Sequence, residues 1–324
     1  MRTTSWVLLS LGVAFSTAAL VYAFWSVDFK VLRDAFLRAD VFVAGLATIP
    51  IVLSVAVRCQ RWRVIASLPD ATFATFWRPT VLGYVGNAMF PARAGDWLRI
   101  AALARSARLP SSRVLSVTIL DRVWDIFAFA LLGLVAWLSL GASTRLSSVV
   151  TVLVFACVAF VLILRWAASH PSTLNHFVEL ASRVLPTAWR QSVERTTSNV
   201  VASLAGAVRV KSLVAGFAFT LTAVALDYMS IVLCTTSMGW TTLPLIAIVW
   251  TGVAIWLASL LPAAPGYVGV YQVGSVVALT MFGVSASDAV GFSLVLHLAN
   301  LAVIAALGMW TAVRFGVDSL RAER

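Results

Sequence analysis

The sequence predicts an all-α polytopic integral membrane protein, and three observations support that prediction. Of its 324 residues, 61% are hydrophobic and only 11% are charged, whereas a soluble domain has about 25% charged residues. Several apolar runs reach the roughly 20 residues with which a helix crosses a bilayer. The net charge of +11 comes almost entirely from arginines, which cluster at the ends of apolar runs, as on cytoplasmic flanks. We expect a single membrane domain over residues 1–324 with about seven spanning helices.

The same composition excludes several functional classes. No polar stretch is large enough for a soluble basic domain, so the positive charge predicts no nucleic-acid partner. Cys59, Cys157 and Cys234 are scattered, without a CxxC pair or a histidine cluster, which predicts neither disulfides nor a metal site. The chain contains no GxSxG, HExxH, P-loop or GxGxxG motif, so we expect no enzymatic activity and no cofactor.

The N-terminal part is predicted to cross the membrane twice. Residues 6–25 form the first apolar run, which we interpret as a retained signal-anchor helix with its N-terminus inside. Residues 26–40 are nearly neutral in sum, which suits an external loop, and residues 41–57 return. Three arginines then mark the cytoplasmic side: Arg58, Arg61 and Arg63.

Residues 72–90 form an apolar segment interrupted by Arg78-Pro79, Gly83 and Gly86. Arginine-rich stretches lie on both sides of it, and if both are cytoplasmic the segment cannot cross. We expect it to enter and return as a re-entrant hairpin, which is tolerated only where protein or water covers the backbone. A spanning segment is the alternative.

The middle of the chain is predicted to span outward at residues 114–140 and to return at 147–166. The long polar region at 170–211 has apolar residues at three- and four-residue spacing. That spacing predicts a cytoplasmic connector of two amphipathic helices on the membrane surface. A solvated connector fits the spacing nearly as well.

The C-terminal part contains a second interrupted segment. After an outward span at 212–234, residues 243–261 are followed by a Pro/Gly-rich break and an apolar run of about eleven residues, too short to span. This pattern predicts a second re-entrant pair that enters from outside. A continuous crossing by 243–261 gives the same final orientation, in which residues 287–313 place the C-terminus inside.

The two interrupted segments therefore lie on opposite faces of the predicted topology. Gly/Pro-interrupted segments in both halves of a chain are the sequence pattern of inverted repeats with a site at the bilayer midplane. Half-helix N-termini at such a site offer N–H groups and a positive dipole end to an anion. Simple helix kinks are the alternative.

The main site candidate is the stretch 87–99. It places amide, ionisable and helix-breaking residues in apolar surroundings: Asn87, Pro91, Arg93, Gly95, Asp96 and Arg99. Ionisable groups at membrane depth predict a functional site, and each guanidinium can bind two oxygens of a phosphate or carboxylate. The alternative is a plain membrane border with snorkelling arginines.

Two further groups complete the predicted substrate site. Arg122 and Asp125 are three residues apart on one helix face and can form an intramembrane pair. The pair either locks helix packing or orients Arg122 for a substrate, and Asp96 is an alternative partner for Arg122. The second break adds two hydrogen-bonding side chains and three residues that shape the backbone: Tyr271, Gln272, Pro265, Gly266 and Gly269.

At these residues the chain resembles a known family. Three motifs are similar in order and spacing to the signatures of the flippase-like membrane region: Asn87…Pro91-x-Arg93-x-Gly95-Asp96-x-x-Arg99, Asp121-Arg122-x-x-Asp125 and Pro265-Gly266-x-x-Gly269-x-x-Gln272. That region is shared by lysylphosphatidylglycerol synthases and by many stand-alone bacterial and archaeal proteins. The family usually has Glu where this chain has Asp96 and Gln272, and the change at 272 removes a titratable group.

The resemblance implies that the chain moves a lipid between leaflets: an aminoacylated phospholipid, a polyprenyl-phosphate sugar or a hopanoid-type lipid. It does not imply aminoacylation, which the synthases perform in a soluble domain that follows this region. We expect the bacterial inner (cytoplasmic) membrane with both termini in the cytoplasm, a lipid substrate and a lipid-modifying enzyme as a candidate partner; the oligomeric state is open.

Two other functions fit the sequence. The first is a non-transporting membrane scaffold that accompanies a lipid-modifying enzyme. The second is a polyprenyl-phosphate-dependent glycosyltransferase, for which the acidic residues of the external loop would serve: Asp28, Asp34 and Asp40.

Overall fold

The computed structural model describes isolated positions between 155 and 173 and the following ranges: 17–18, 20–25, 27–68, 71–90, 93–140, 210–259 and 264–322. Every regular element within those ranges is helical. Most of the predicted return span at 147–166 and of the predicted connector at 170–211 lies outside the described residues, as does the first part of the predicted helix at 6–25.

The helices of the described ranges are, in chain order, α1 Phe29–Arg38, α2 Val41–Leu46, α3 Thr48–Ala66, α4 Phe73–Met89, α5 Ala94–Ser106, α6 Ser111–Leu140, α7 Val210–Ser237, α8 Leu245–Ser259, α9 Val270–Thr280 and α10 Ala286–Ala322. A short 3-10 turn, Pro265–Tyr267, lies between α8 and α9.

Three described stretches are long and apolar enough to cross a membrane: Val41–Ala66, Lys211–Ser237 and Ala286–Arg314. Helix α6 has 30 residues and is therefore about 45 Å long, which also exceeds the hydrocarbon core of a bilayer. The chain is thus a multi-pass, all-helical membrane protein, as predicted.

Aspartates start the two short helices that follow the first apolar run. The Asp28 carboxylate accepts hydrogen bonds from the N–H groups of Lys30 and Val31. The Asp40 carboxylate accepts them from the N–H groups of Phe42 and Val43. Such side chains satisfy N–H groups that the first helical turn leaves free. Two of the three acids considered for a glycosyltransferase are therefore helix caps.

Two separate apolar clusters lie at the two ends of α3, since Ala47 belongs to the second cluster and Ala66 to the first. The first joins the last turns of α3, the start of α4, the end of α5 and the start of α6, around Trp62, Phe76 and Leu103. The second joins the end of α7, α8, α9 and the start of α10, around Cys234 and Phe292. Chain segments that lie far apart in sequence therefore meet at each end.

Two helical hairpins pack with their bases in these two clusters. The first hairpin, α4 and α5, has 17 and 13 residues, and the second hairpin, α8 and α9, has 15 and 11. Each helix is about 17–26 Å long, shorter than the roughly 30 Å hydrocarbon core. The base of the first hairpin lies in the first cluster and that of the second in the second cluster. Their tips meet, since the 3-10 turn packs against α4.

Glycines allow the two helices of each hairpin to pack backbone against backbone. A Cβ added at Gly95 would lie 2.0 Å from the Gly83 carbonyl oxygen, and one added at Gly86 would lie 2.7 Å from the Gly95 Cα. In the second hairpin, a Cβ at Gly274 would lie 2.7 Å from the Ile255 Cα. Small residues of this kind let membrane helices approach closely.

Replacing Gly95 with alanine should destabilise the first hairpin. The new methyl group meets backbone atoms, which cannot move aside as a side chain can, and overpacking of this kind costs about 1–3 kcal/mol or more. Thermal unfolding of the purified protein in detergent measures the effect. Gly45→Ala is the matched control, because no heavy atom lies within 4 Å of a Cβ added there; equal melting temperatures for the two variants would contradict the packing described.

Candidate functional site

A cavity of about 320 Å³ lies beside the point where the two hairpin tips meet. Six ionisable residues from five helices and loops line it: Arg58, Arg93, Asp96, Arg122, Asp125 and Asp227. Four of the chain's five tyrosines line it as well: Tyr84, Tyr228, Tyr267 and Tyr271. Apolar residues of α6, α7 and α8 complete the wall, including the stacked rings of Phe129 and Trp256, whose centroids are 4.8 Å apart.

A network of four arginines and four aspartates forms one side of the cavity and extends behind it: Arg58, Arg61, Arg99, Arg122, Asp96, Asp121, Asp125 and Asp227. The network connects α3, α5, α6 and α7. Charges removed from water destabilise a fold unless they are paired and hydrogen-bonded. The four helices are therefore held in one relative arrangement by the need to keep every charge matched.

Arg58 connects α3 to α7. Its two terminal nitrogens donate to the two carboxylate oxygens of Asp227 at 3.1 and 2.7 Å, the two-pronged geometry in which guanidinium–carboxylate pairs are strongest. Ser54 donates to the same carboxylate at 2.6 Å and accepts from Arg58. The Arg58 Nε also lies 3.6 Å from Asp125, so this arginine is shared between two acids.

Arg61 lies one turn further along α3 and has no solvent-exposed surface. Its Nε lies 2.8 Å from Asp121, its Nη1 lies 2.8 Å from Asp125, and Nη1 also donates to Thr220 at 3.0 Å. The Asp121 backbone carbonyl accepts a further bond from Nη2. Arg61 is thus fully engaged with protein groups and forms the centre of the network rather than part of the cavity wall.

Arg122 is held between two carboxylates, and both pairings considered from the sequence exist. Its Nη1 donates to Asp125, three residues away on α6, at 3.2 Å, and its Nη2 donates to Asp96 on α5 at 2.5 Å. Arg99 lies behind this pair, with Nη2 3.1 Å from Asp121 and its guanidinium 4.5 Å from the centroid of the Trp62 ring. It is buried and does not line the cavity.

Arg93 differs from these arginines. It lies on the cavity wall at the tip of the first hairpin, and its Nε donates to the Tyr267 hydroxyl, at the tip of the second, at 3.3 Å. Among the described residues, no carboxylate lies within ion-pair distance of it. Arg93 is therefore the cation of the cavity that the network leaves unmatched.

Both tips have a strained backbone. Arg93 and Tyr267 adopt left-handed conformations with φ of 56° and 59°, which cost about 1–3 kcal/mol each in a residue with a side chain. Such conformations persist where surrounding structure enforces them, and they concentrate at functional sites. The strain here sets the directions of the two side chains that meet across the tips.

The second tip is fixed by three side chains. The Gln272 carboxamide oxygen accepts from the Gly269 N–H at 2.9 Å and so caps α9. The His297 Nε2–H donates to the Gly266 carbonyl oxygen at 2.6 Å, and the Tyr271 ring stacks on that imidazole at 4.4 Å between centroids. Gly266 and Gly269 have φ of 72° and 87°, which explains why glycine stands at both positions.

The structure divides the predicted site residues into two groups. Five lie on the cavity wall: Arg93, Asp96, Arg122, Asp125 and Tyr271. Three lie elsewhere: Arg99 in the network, Gln272 as a helix cap, and Asn87 with its side-chain oxygen buried near the Gly95 backbone. Gly95, Pro265, Gly266 and Gly269 were predicted as breaks that line the cavity; they lie in the two hairpins but are not among the residues of the cavity wall. Pro91 lies outside the described residues.

The predicted end of the second span at residue 57 is too early. Helix α3 continues to Ala66, so Arg58 and Arg61 lie within it and pair with acids of α6 and α7; the cytoplasmic side stays a prediction. An arginine near the end of an apolar run has the same local sequence in either case. The signal that could have distinguished arginines inside a helix from arginines on its flank is the three-residue spacing of Arg58 and Arg61, together with Asp227, an acid inside another apolar run.

The sequence analysis also missed the tyrosines of the cavity wall, because they are scattered along the chain.

Comparison with known proteins gives one match. The family model described as the lysylphosphatidylglycerol synthase TM region matches residues 9–308. No curated protein and no solved structure matches the chain. The match covers both hairpins and every residue of the ion-pair network.

Arg61→Met should destabilise the protein strongly. It leaves Asp121 and Asp125 without their nearest cation, and breaking a buried pair in this way costs about 3–5 kcal/mol. The double variant Arg61→Met/Asp121→Asn should recover part of the loss, because it removes one charge of each sign. Chemical or thermal unfolding in detergent measures both; a double variant less stable than the single one would show that the network is not held by charge matching.

Proposed function

We propose that this chain, which belongs to the family of the lysylphosphatidylglycerol synthase TM region, moves a lipid with an anionic or phosphate-linked headgroup between the leaflets of a membrane. The headgroup enters the cavity while the lipid tails stay among the surrounding hydrocarbon. Aminoacylated phospholipids, polyprenyl-phosphate sugars and hopanoid-type lipids are the candidate substrates.

The observation that carries the proposal is the position of Arg93. It faces a cavity of about 320 Å³ with no carboxylate partner among the described residues. Arg93 is partly buried, and an oxyanion that enters the cavity accepts charge-assisted hydrogen bonds from its guanidinium. Arg122 and Arg58 lie on the same wall, where their paired carboxylates position them toward the ligand.

The two hairpins supply the route. In this proposal both are re-entrant, one from each side of the membrane, and their tips separate the cavity from the two aqueous phases. The second hairpin contributes no charge to the network, and its movement against the network opens the site to one leaflet. The first hairpin contains Asp96 and Arg99, so opening to the opposite leaflet, as alternating access requires, needs an exchange of their ion pairs. Apolar contacts hold the base of each hairpin within its own end of the molecule.

A non-transporting scaffold is the second candidate, and the ion-pair network is the observation that favours it. Eight charges that match one another serve helix packing whether or not a ligand enters. A scaffold needs neither the cavity nor an unmatched cation, however. The arginine outside the network therefore separates the two functions experimentally.

Arg93→Ala should abolish headgroup binding and leave the fold intact, because Arg93 makes no ion pair with the described residues and only one hydrogen bond to another side chain. Native mass spectrometry of the gently purified proteins compares the lipids that they retain. Reconstitution into vesicles with a fluorescent phospholipid then compares rates of leaflet exchange, measured by quenching from outside.

The matched control is Arg105→Ala, which removes the same charge from an exposed position near the end of α5, outside the cavity. We expect this variant to retain the wild-type lipids and the wild-type exchange rate. If Arg93→Ala is well folded and keeps both, the arginine does not bind a headgroup and the scaffold becomes the better assignment.

Single cysteines introduced at the hairpin bases should react with a membrane-impermeant thiol reagent from opposite sides. With the native cysteines replaced, Ala74→Cys and Ser106→Cys at the base of the first hairpin should react from one side. Thr241→Cys and Met281→Cys at the base of the second hairpin should react from the other side.

Met89→Cys, at the tip of the first hairpin, should be protected from reagent on both sides, because a re-entrant tip remains at membrane depth. Reaction of Met89→Cys from the same side as Thr241→Cys would instead mean that the first hairpin spans.

A further inference from the structure

The charge of the cavity limits the charge of its ligand. Each carboxylate on the wall already has an arginine close by: Asp227 lies 2.7 Å from Arg58, Asp96 lies 2.5 Å from Arg122, and Asp125 lies 2.8 Å from Arg61. The whole network contains four cations and four anions and is neutral. Arg93 adds one positive charge, so the network and the cavity wall taken together have a net charge of +1 among the described residues.

A ligand that carries one negative charge neutralises this site, and other charges do not. A phosphomonoester carries about −1.5 to −2 at neutral pH and would bring surplus negative charge beside three carboxylates. A headgroup with an ammonium group would need a free carboxylate. Each carboxylate on the wall, however, has an arginine nitrogen within 3.2 Å of one of its oxygens. A phosphodiester, with a single negative charge, matches the site.

The uncharged polar groups of the cavity indicate what the rest of the headgroup carries. The hydroxyls of Tyr84 and Tyr271 line the cavity and form no hydrogen bond with any other described residue. Asn300 uses its NH₂ group on the Leu296 carbonyl, which leaves its carboxamide oxygen available to the cavity. By contrast, the Tyr228 hydroxyl is already engaged by the Val249 carbonyl at 2.9 Å. Phenol and carboxamide groups of this kind bind hydroxyls by donating and accepting at once.

We infer that the cavity binds the phosphodiester of a lipid whose headgroup is uncharged and rich in hydroxyls, with Arg93 on the phosphate and Tyr84, Tyr271 and Asn300 on the hydroxyls. This inference rests on the proposed function and narrows its substrate. A glycerol headgroup on a phospholipid and a sugar on a phosphoprenol share this chemistry. A lipid whose headgroup carries an aminoacyl cation does not.

The test compares lipids that differ in one feature at a time. The probes are phosphatidylglycerol and phosphatidylmethanol, both diesters with one negative charge, and phosphatidic acid, phosphatidylethanolamine and lysylphosphatidylglycerol, all with the same acyl chains. A mannosyl phosphoprenol represents the second source of the same chemistry. Binding to the full chain in lipid nanodiscs is measured by competition and by native mass spectrometry.

Phosphatidylglycerol should bind at least about fivefold more tightly than phosphatidylmethanol, the factor expected from one neutral hydrogen bond. The double variant Tyr84→Phe/Tyr271→Phe should lose this preference while its affinity for phosphatidylmethanol is unchanged. Tyr228→Phe is the matched control and should keep the preference, because its hydroxyl is not available to a ligand. Stronger binding of the mannosyl lipid than of phosphatidylglycerol supports the same chemistry and assigns it to a prenyl-linked source.

Two results would overturn this inference and leave the proposed function standing. Tighter binding of phosphatidic acid than of phosphatidylglycerol would contradict the single charge, and tighter binding of lysylphosphatidylglycerol would contradict the uncharged headgroup. In both cases binding would still be lost in Arg93→Ala. Lipid binding that does not depend on Arg93 would instead overturn the proposed function itself.

Discussion

The structure depends on the matching of buried charges. Four arginines and four aspartates pair within the helices. Arg61, Arg99, Asp121 and Asp125 are buried there, where a single unmatched charge costs several kcal/mol. Each helix that contributes a charge must therefore keep its rotation and depth relative to the others. Arg61 illustrates the constraint most clearly, since it contacts two acids of α6 and a threonine of α7 while having no exposed surface. The rigid frame that results includes α5 of the first hairpin, whereas the second hairpin contributes no charge to it.

The cavity exists because the backbone is interrupted twice beside this frame. Helices too short to cross a bilayer end near each other, and their ends provide polar groups at a depth where a continuous helix has none. Glycines make each hairpin thin enough to fit, and two residues in left-handed conformations direct Arg93 and Tyr267 toward each other. The network and the tips thus have separate roles: the first fixes positions, and the second leaves one cation without a partner.

Local sequence predicted the interrupted helices and both partners of Arg122, because glycine, proline and the three-residue spacing of Arg122 and Asp125 act within one or two helical turns. The seven spans and the inverted repeat stay predictions. Sequence could not show that Arg58 pairs with an acid of another helix, because its partner, Asp227, is 169 residues away. Sequence also could not show that Tyr271 lines the cavity while its neighbour Gln272 caps α9. The two residues are adjacent, and only the folded helix determines which of them faces the cavity.

The order of the charges along the chain has a consequence for synthesis of the protein. Arg58 enters the membrane long before Asp227, and at about 5–20 residues per second the 169 intervening residues take roughly 8–34 s to appear. During that interval Arg58 needs another anion, and Asp125, whose carboxylate lies 3.6 Å from the Arg58 Nε in the finished structure, is already present on α6. The contact of Arg58 with Asp125 therefore gives the nascent chain a partial match of four arginines to three aspartates, and arrival of α7 brings the fourth aspartate.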